Sequence, residues 1–158
     1  MHTDLTIELM NFWKAQDLIL PGGVSEAALR HFEEAYSVKI PSDMRDYLRA
    51  VNGMSGSVGN EEDSNFFRFL PLREFQPVPR FCEETGAWYR YRENIDKYFV
   101  FVDYMHWSYG YAIDLSGNSE DSQPVIHIGT RDEKTVSKTF SEFVRYYLQD
   151  ATDIYLMP

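Results

Sequence analysis

Several residue groups in this 158-residue chain have types and spacings that chemistry uses, and each lacks something that chemistry requires. His31-Phe32-Glu33 has the His-x-Glu spacing of a zinc deaminase, but that site takes a pair of downstream cysteines and Cys82 is the only cysteine. Gly53-Met54-Ser55-Gly56-Ser57 approaches the Gly-x-Ser-x-Gly turn that exposes a nucleophilic serine. Its last position is serine, however, and it follows a helical pattern where that turn must follow a strand. Gly53, Gly56 and Gly59 also fail as a phosphate loop, because no Lys-Ser or Lys-Thr follows and Glu61-Glu62-Asp63 would repel the ligand. Cys82 would act as a nucleophile only with His31, His106 or His127 folded beside it, whereas a lone cysteine usually serves as a small packed residue. His127 alternates with Ile126 and Ile128 on a strand and reads as an exposed or satisfied structural residue. Glu33-Glu34 and Glu83-Glu84 do acid–base work only if buried face to face. These residues predict no catalytic constellation, no metal site and no cofactor.

The elements that must position any site are more legible. A first helix is predicted from about Asp4 to Ala15, with Leu5, Phe12 and Trp13 among its apolar anchors, before Pro21-Gly22-Gly23 breaks the chain. Ser25 reads as the cap of a second helix carrying Leu29, Phe32 and Tyr36, with Val24 placed to staple onto Leu29. A third follows Ile40-Pro41, with Ser42 as cap and Asp43 in the first turn; Met44, Tyr47, Leu48 and Val51 share a face, and Asn52-Gly53 is the stop. Residues 53–65 show neither period nor core residues and read as a long functional or disordered loop. Phe66–Leu70 reads as a short strand ended by Pro71. Residues 76–97 have no clear pattern.

Tyr98–Val102 is a continuous aromatic and β-branched run, predicted as a central strand. Then Trp107, Tyr109, Tyr111 and Ile113 alternate with Ser108, Gly110, Ala112 and Asp114, giving one bulky face and one that permits close approach. Val125–Ile128 makes a further strand. Thr139 and Glu142 form a capping box for a last helix, with Phe140, Phe143, Val144, Tyr147 and Leu148 on its buried face. The expected fold is α+β, a mainly antiparallel β-sheet packed with N-terminal and C-terminal helices, in a single domain over residues 1–158.

Composition bounds the function. At this length a domain buries roughly 70% of the surface its unfolded chain would expose, so no disulfide is needed. One cysteine suits a reducing compartment. The N-terminus carries acids where a signal peptide has a basic region, and no apolar run approaches a membrane span, so a cytoplasmic protein is expected. Twenty-five acids against fifteen bases give a net charge of −10, which repels nucleic acids and anionic membranes and steers toward a basic protein.

The stretch Ser25–Gly53 resembles the N-terminal signature of the SUKH superfamily, with an acidic amphipathic helix, an Ile-Pro connection, a helix containing Tyr-Leu, and an Asn-Gly stop. The strand Phe66–Leu70, the run Tyr98–Leu115 with its Tyr-Gly-Tyr-Ala-Ile-Asp-Leu, and the ending Lys138-Thr-Phe-Ser-Glu-Phe-Val extend the resemblance over most of the chain. The superfamily includes yeast cell-wall regulators and many bacterial immunity proteins. The resemblance therefore implies a non-catalytic protein-binding domain: an immunity protein that neutralises a cognate toxin, or alternatively a regulatory scaffold binding cellular proteins. An enzyme using Cys82 is the remaining class. Loops on a rigid scaffold concentrate binding residues, so Glu61, Glu62 and Asp63, together with Glu83, Glu84 and Trp88, are the expected contacts for a basic toxin domain.

Overall fold

A computed structural model describes residues 3–54, 62–105, 109–129, 134–151 and 154–155. Within them lie α1 (Thr3–Lys14), α2 (Glu26–Tyr36), α3 (Ser42–Ala50), β1 (Phe67–Phe69), β2 (Gln76–Pro77), α4 (Val78–Thr85), β3 (Tyr98–Tyr104), β4 (Tyr109–Asp114), β5 (Val125–Ile128), β6 (Thr135–Ser137) and α5 (Phe140–Leu148). The architecture is α+β. The strands form one antiparallel sheet in the order β1-β3-β4-β5-β6, and β2 pairs with β3 farther along the edge that β1 occupies. The aromatic run is central, as expected, because β3 has partners on both sides. The alternating segment forms β4 from Tyr109 onward, while Trp107 and Ser108 lie outside the described residues.

Local capping explains the helices. Ser25 Oγ accepts from the Ala28 N–H at 3.1 Å, and Thr139 Oγ1 from the Glu142 N–H at 3.1 Å. The start of α3 differs from expectation. Its cap is Pro41, which makes no side-chain hydrogen bond, and Ser42 is already helical. Asp43 does the capping work across the fold instead: Oδ2 accepts from the Ser141 N–H at 3.0 Å and from its hydroxyl at 2.8 Å, in the first turn of α5. Acids on α2 are also committed locally, since Arg45 pairs with both Glu26 and Glu33, and Glu33 Oε2 accepts from the Ile40 N–H at 2.8 Å. The two glycine signals have steric causes. A Cβ on Gly23 would lie 1.8 Å from the Arg49 carbonyl oxygen, and one on Gly53, whose φ is 70°, would lie 2.6 Å from the Phe69 and Leu70 oxygens.

Helices α1, α3 and α5 pack on one another over the bulky sheet face. There Phe69 meets Trp13, Tyr47, Phe143 and Tyr147, and Phe101 meets Phe140 and Phe143, with ring centroids 4.8–6.4 Å apart. The small face is close-packed too: a Cβ on Gly110 would come within 3.1 Å of the Ile128 side chain. Residues 76–97, unpatterned in the sequence, supply β2, α4 and a 3-10 turn at Ile95–Lys97. Helix α4 packs on β2, β3 and that turn. Residue 54 corrects another expectation, since Met54 is fully buried in a segment that lacks any core pattern.

Candidate protein-binding end of the sheet

Strand register gathers separate segments at one end of the sheet. Phe67 lies opposite Tyr104, Tyr104 opposite Tyr109, and Gly110 opposite Ile128, while Trp88 bridges to Gly129 one residue further on. The Gly129 N–H donates to the Trp88 carbonyl at 2.9 Å. Residues 62–66, Met105, Gly129 and Trp88 therefore share this end.

Asp63 organises its first segment from the inside. Oδ1 accepts from the Asn65 N–H at 2.8 Å and the Phe67 N–H at 2.9 Å, closing a turn that starts β1. Oδ2 accepts from the Tyr147 hydroxyl, whose oxygen accepts in turn from Trp13 Nε1 at 2.9 Å. Gln16 Oε1 takes the Ser64 N–H at 2.7 Å. The loop is thus fastened to α1 and α5. Burial pushes the Asp63 carboxyl above its ordinary range, although the hydrogen bonds from Tyr147, Phe67 and Asn65 pull it down. Burial and the neighbouring Asp63 charge likewise push the Tyr147 hydroxyl up, so it stays the donor.

The sequence-predicted contacts have different fates here. Glu61 lies outside the described residues. Glu62 is half-buried, and Asp63 is 5% exposed with both oxygens engaged, so it anchors the loop and offers no carboxylate to a partner surface. Glu83 and Glu84 are exposed on α4, where Glu84 pairs with Arg80 at 3.3 Å. Trp88 is 40% exposed.

Two residues of this end carry no signal in the sequence. Phe66 and Met105 are 51% and 42% exposed, and both hold left-handed backbone with φ of 71° and 52°. The Met105 N–H donates to the Phe66 carbonyl at 2.9 Å. A large non-glycine side chain in that region costs roughly 1–3 kcal/mol and persists only where its surroundings over-determine it. Behind them, Tyr104 stacks on Tyr109 at 5.8 Å and meets Tyr155 at 6.0 Å, and the Tyr155 hydroxyl donates to Asp150. The surface is apolar and aromatic with carboxylates beside it, a composition suited to protein contact.

The histidine and cysteine are placed otherwise. His127 is fully buried; Nε2 lies 2.8 Å from the Ile154 carbonyl, which also accepts from the Tyr111 hydroxyl. Burial holds the imidazole down at about 4, so it is neutral at physiological pH. It is a structural histidine, as expected, but neither exposed nor fully satisfied: Nε2 is engaged while the buried Nδ1 has no hydrogen-bond partner among the described residues. Cys82 is buried on α4. Among the described residues no group of three His, Cys, Asp or Glu side chains converges as metal ligands would, and no helix is long and apolar enough to cross a membrane.

No curated protein matches the chain significantly. A model of the SMI1 / KNR4 family (SUKH-1) matches residues 23–146, from the glycine wedged against Arg49 to the last turns of α5. That match takes in both capped helices, the central aromatic strand and the loop end of the sheet, and by it the chain belongs to the SMI1 / KNR4 (SUKH-1) family.

Proposed function

We propose that this protein acts by binding, without catalysis, as an immunity protein that neutralises a basic toxin domain through the loop end of its sheet. The observation that carries the reading is the convergence there of exposed Phe66, Met105 and Trp88. Exposed aromatic and Met side chains flanked by charge are what interface anchors look like, and the net charge of −10 would speed encounter with a cationic partner. Glu61 and Glu62 remain steering candidates on this reading, with Glu83 and Glu84 as a second acidic group, while Asp63 shapes the loop.

A toxin gene is expected beside its own; co-expression with that toxin should restore growth of the host cell, and the purified pair should associate. Replacing Glu61 and Glu62 by glutamine should slow association and flatten its salt dependence. Trp88→Ala should mainly speed dissociation, by a factor on the order of 30 for an anchor worth about 2 kcal/mol. Failure to protect or to associate would refute the toxin-neutralising role. Unchanged rates in these variants would move the interface elsewhere.

A further inference from the structure

The outer side of α2 carries a second concave feature, lined by residues outside the segments just described. Ala28, Phe32, Ala35 and Tyr36 recur at spacings of four, three and one on that helix and face Leu72 and Phe75 across a groove of about 410 Å³. That volume suits a small molecule. The floor is aromatic: Phe32 meets Tyr36 at 4.9 Å and stands edge-on to Phe75 at 6.0 Å.

The polar groups at this groove are donors. Arg73 is 72% exposed at its side chain and approaches Glu74 Oε2 only at 3.7 Å, because that carboxylate is engaged by Arg68 at 2.9 and 3.1 Å. Asn52 Oδ1 takes the Leu72 N–H at 2.7 Å, which leaves the NH2 half of the amide for a ligand. His31 adds an imidazole. Among the described residues that line the groove there is no carboxylate, in a chain where acids outnumber bases twenty-five to fifteen. Apolar walls with donors and a cation at one side match a ligand that has an apolar ring at one end and an anion at the other.

We infer that this groove binds a small ring-bearing carboxylate, its ring on the Phe32–Phe75 floor and its carboxylate toward Arg73 and Asn52. The site is independent of the toxin-binding reading, and neither depends on the other.

The test is titration of the purified, isotope-labelled chain with naphthalene-1-acetate, followed by amide NMR and calorimetry. Saturable one-site binding is expected, with a dissociation constant on the order of 10⁻⁵ to 10⁻³ M for a ligand of this size. Shifts should centre on the amides of residues 28–36 and 72–75. The neutral isostere naphthalene-1-ethanol should bind roughly three- to fivefold more weakly, the scale of an exposed ion pair. Arg73→Gln should erase that difference, while Arg30→Gln, on α2 but outside the groove, should preserve it. Ala35→Leu, and separately Ala28→Leu, should fill the groove and abolish binding without lowering the melting temperature. Absence of saturable shifts up to the ligand's solubility would overturn the inference, and so would equal affinity for acid and alcohol or indifference to both leucine variants.

Discussion

Tyr147, in the last turn of α5, donates its hydroxyl proton to Asp63 in the segment that leads into β1, and its oxygen accepts from Trp13 in the first helix. A carboxylate that sequence alone assigns to a binding surface is therefore part of a buried relay joining three segments.

Removing that relay should cost stability. Tyr147→Phe leaves Trp13 Nε1 and Asp63 Oδ2 without their partner, and Asp63→Ala strips the acceptor from two backbone N–H groups; each should destabilise by roughly 1–3 kcal/mol in denaturant melts. Asp63→Asn should cost less than Asp63→Ala, because the amide keeps an acceptor for the N–H pair and carries no buried charge. Melts unchanged in Tyr147→Phe would mean the relay contributes nothing.

The buried imidazole sets a pH window. His127 titrates at about 4 in the folded chain, below its ordinary value near 6.5, so the unfolded chain binds the extra proton between those limits. Its contribution is complete above pH 6.5 and lost as pH falls toward 4, on the order of 3 kcal/mol at most. Asp63 acts with the opposite sign: its carboxyl is held up, so its contribution is present below its ordinary value and lost as pH rises through the folded one. Melting temperature followed from pH 7 to pH 4 in wild type and His127→Gln isolates the histidine. The variant should give the flatter curve.

The core can be checked at the strand and helix that the sequence already marks. Phe101 and Leu48 are at most 1% exposed, and truncating either to alanine should cost about 2–5 kcal/mol. Gly53→Ala should also destabilise, by more than about 1 kcal/mol, since both its φ and the Phe69 and Leu70 oxygens oppose a Cβ. A loss below about 1 kcal/mol for both Phe101→Ala and Leu48→Ala would contradict the packing described.

At Phe66 stability and binding should separate. Glycine accepts a φ of 71° without strain, so Phe66→Gly should leave the melting temperature unchanged or raise it while, on the proposed function, weakening capture of the partner. A structural Phe66 would give the reverse pair of results.

Elements whose boundaries are fixed by local chemistry are legible in the residues themselves. Ser25 and Thr139 cap where their spacing places them, and Tyr98–Val102 is central because an unbroken aromatic and β-branched run needs burial on both faces. Helix α4 is hidden because Pro77 and Pro79 look like breaks, although proline at the very start of a helix forfeits no intrahelical hydrogen bond. The role of Asp63 is hidden because an acid in a polar loop has the same composition whether it faces water or Tyr147. Phe66 and Met105 are hidden for a different reason: side-chain type carries no signal for left-handed backbone in bulky residues, so these exposed positions emerge only from tertiary register.

The pairing of Trp13 with Tyr147 spans 134 positions, and that of Asp43 with Ser141 spans 98. During synthesis the first three helices emerge well before the residues that close their layer, leaving Trp13 and the apolar side of α3 uncovered until α5 is made. Contacts of such sequence separation fold slowly, because chain-closure entropy is lost before they form. A nascent chain therefore carries an aggregation-prone helical surface until α5 is made, and a stop codon shortly before residue 139 would leave that surface exposed permanently.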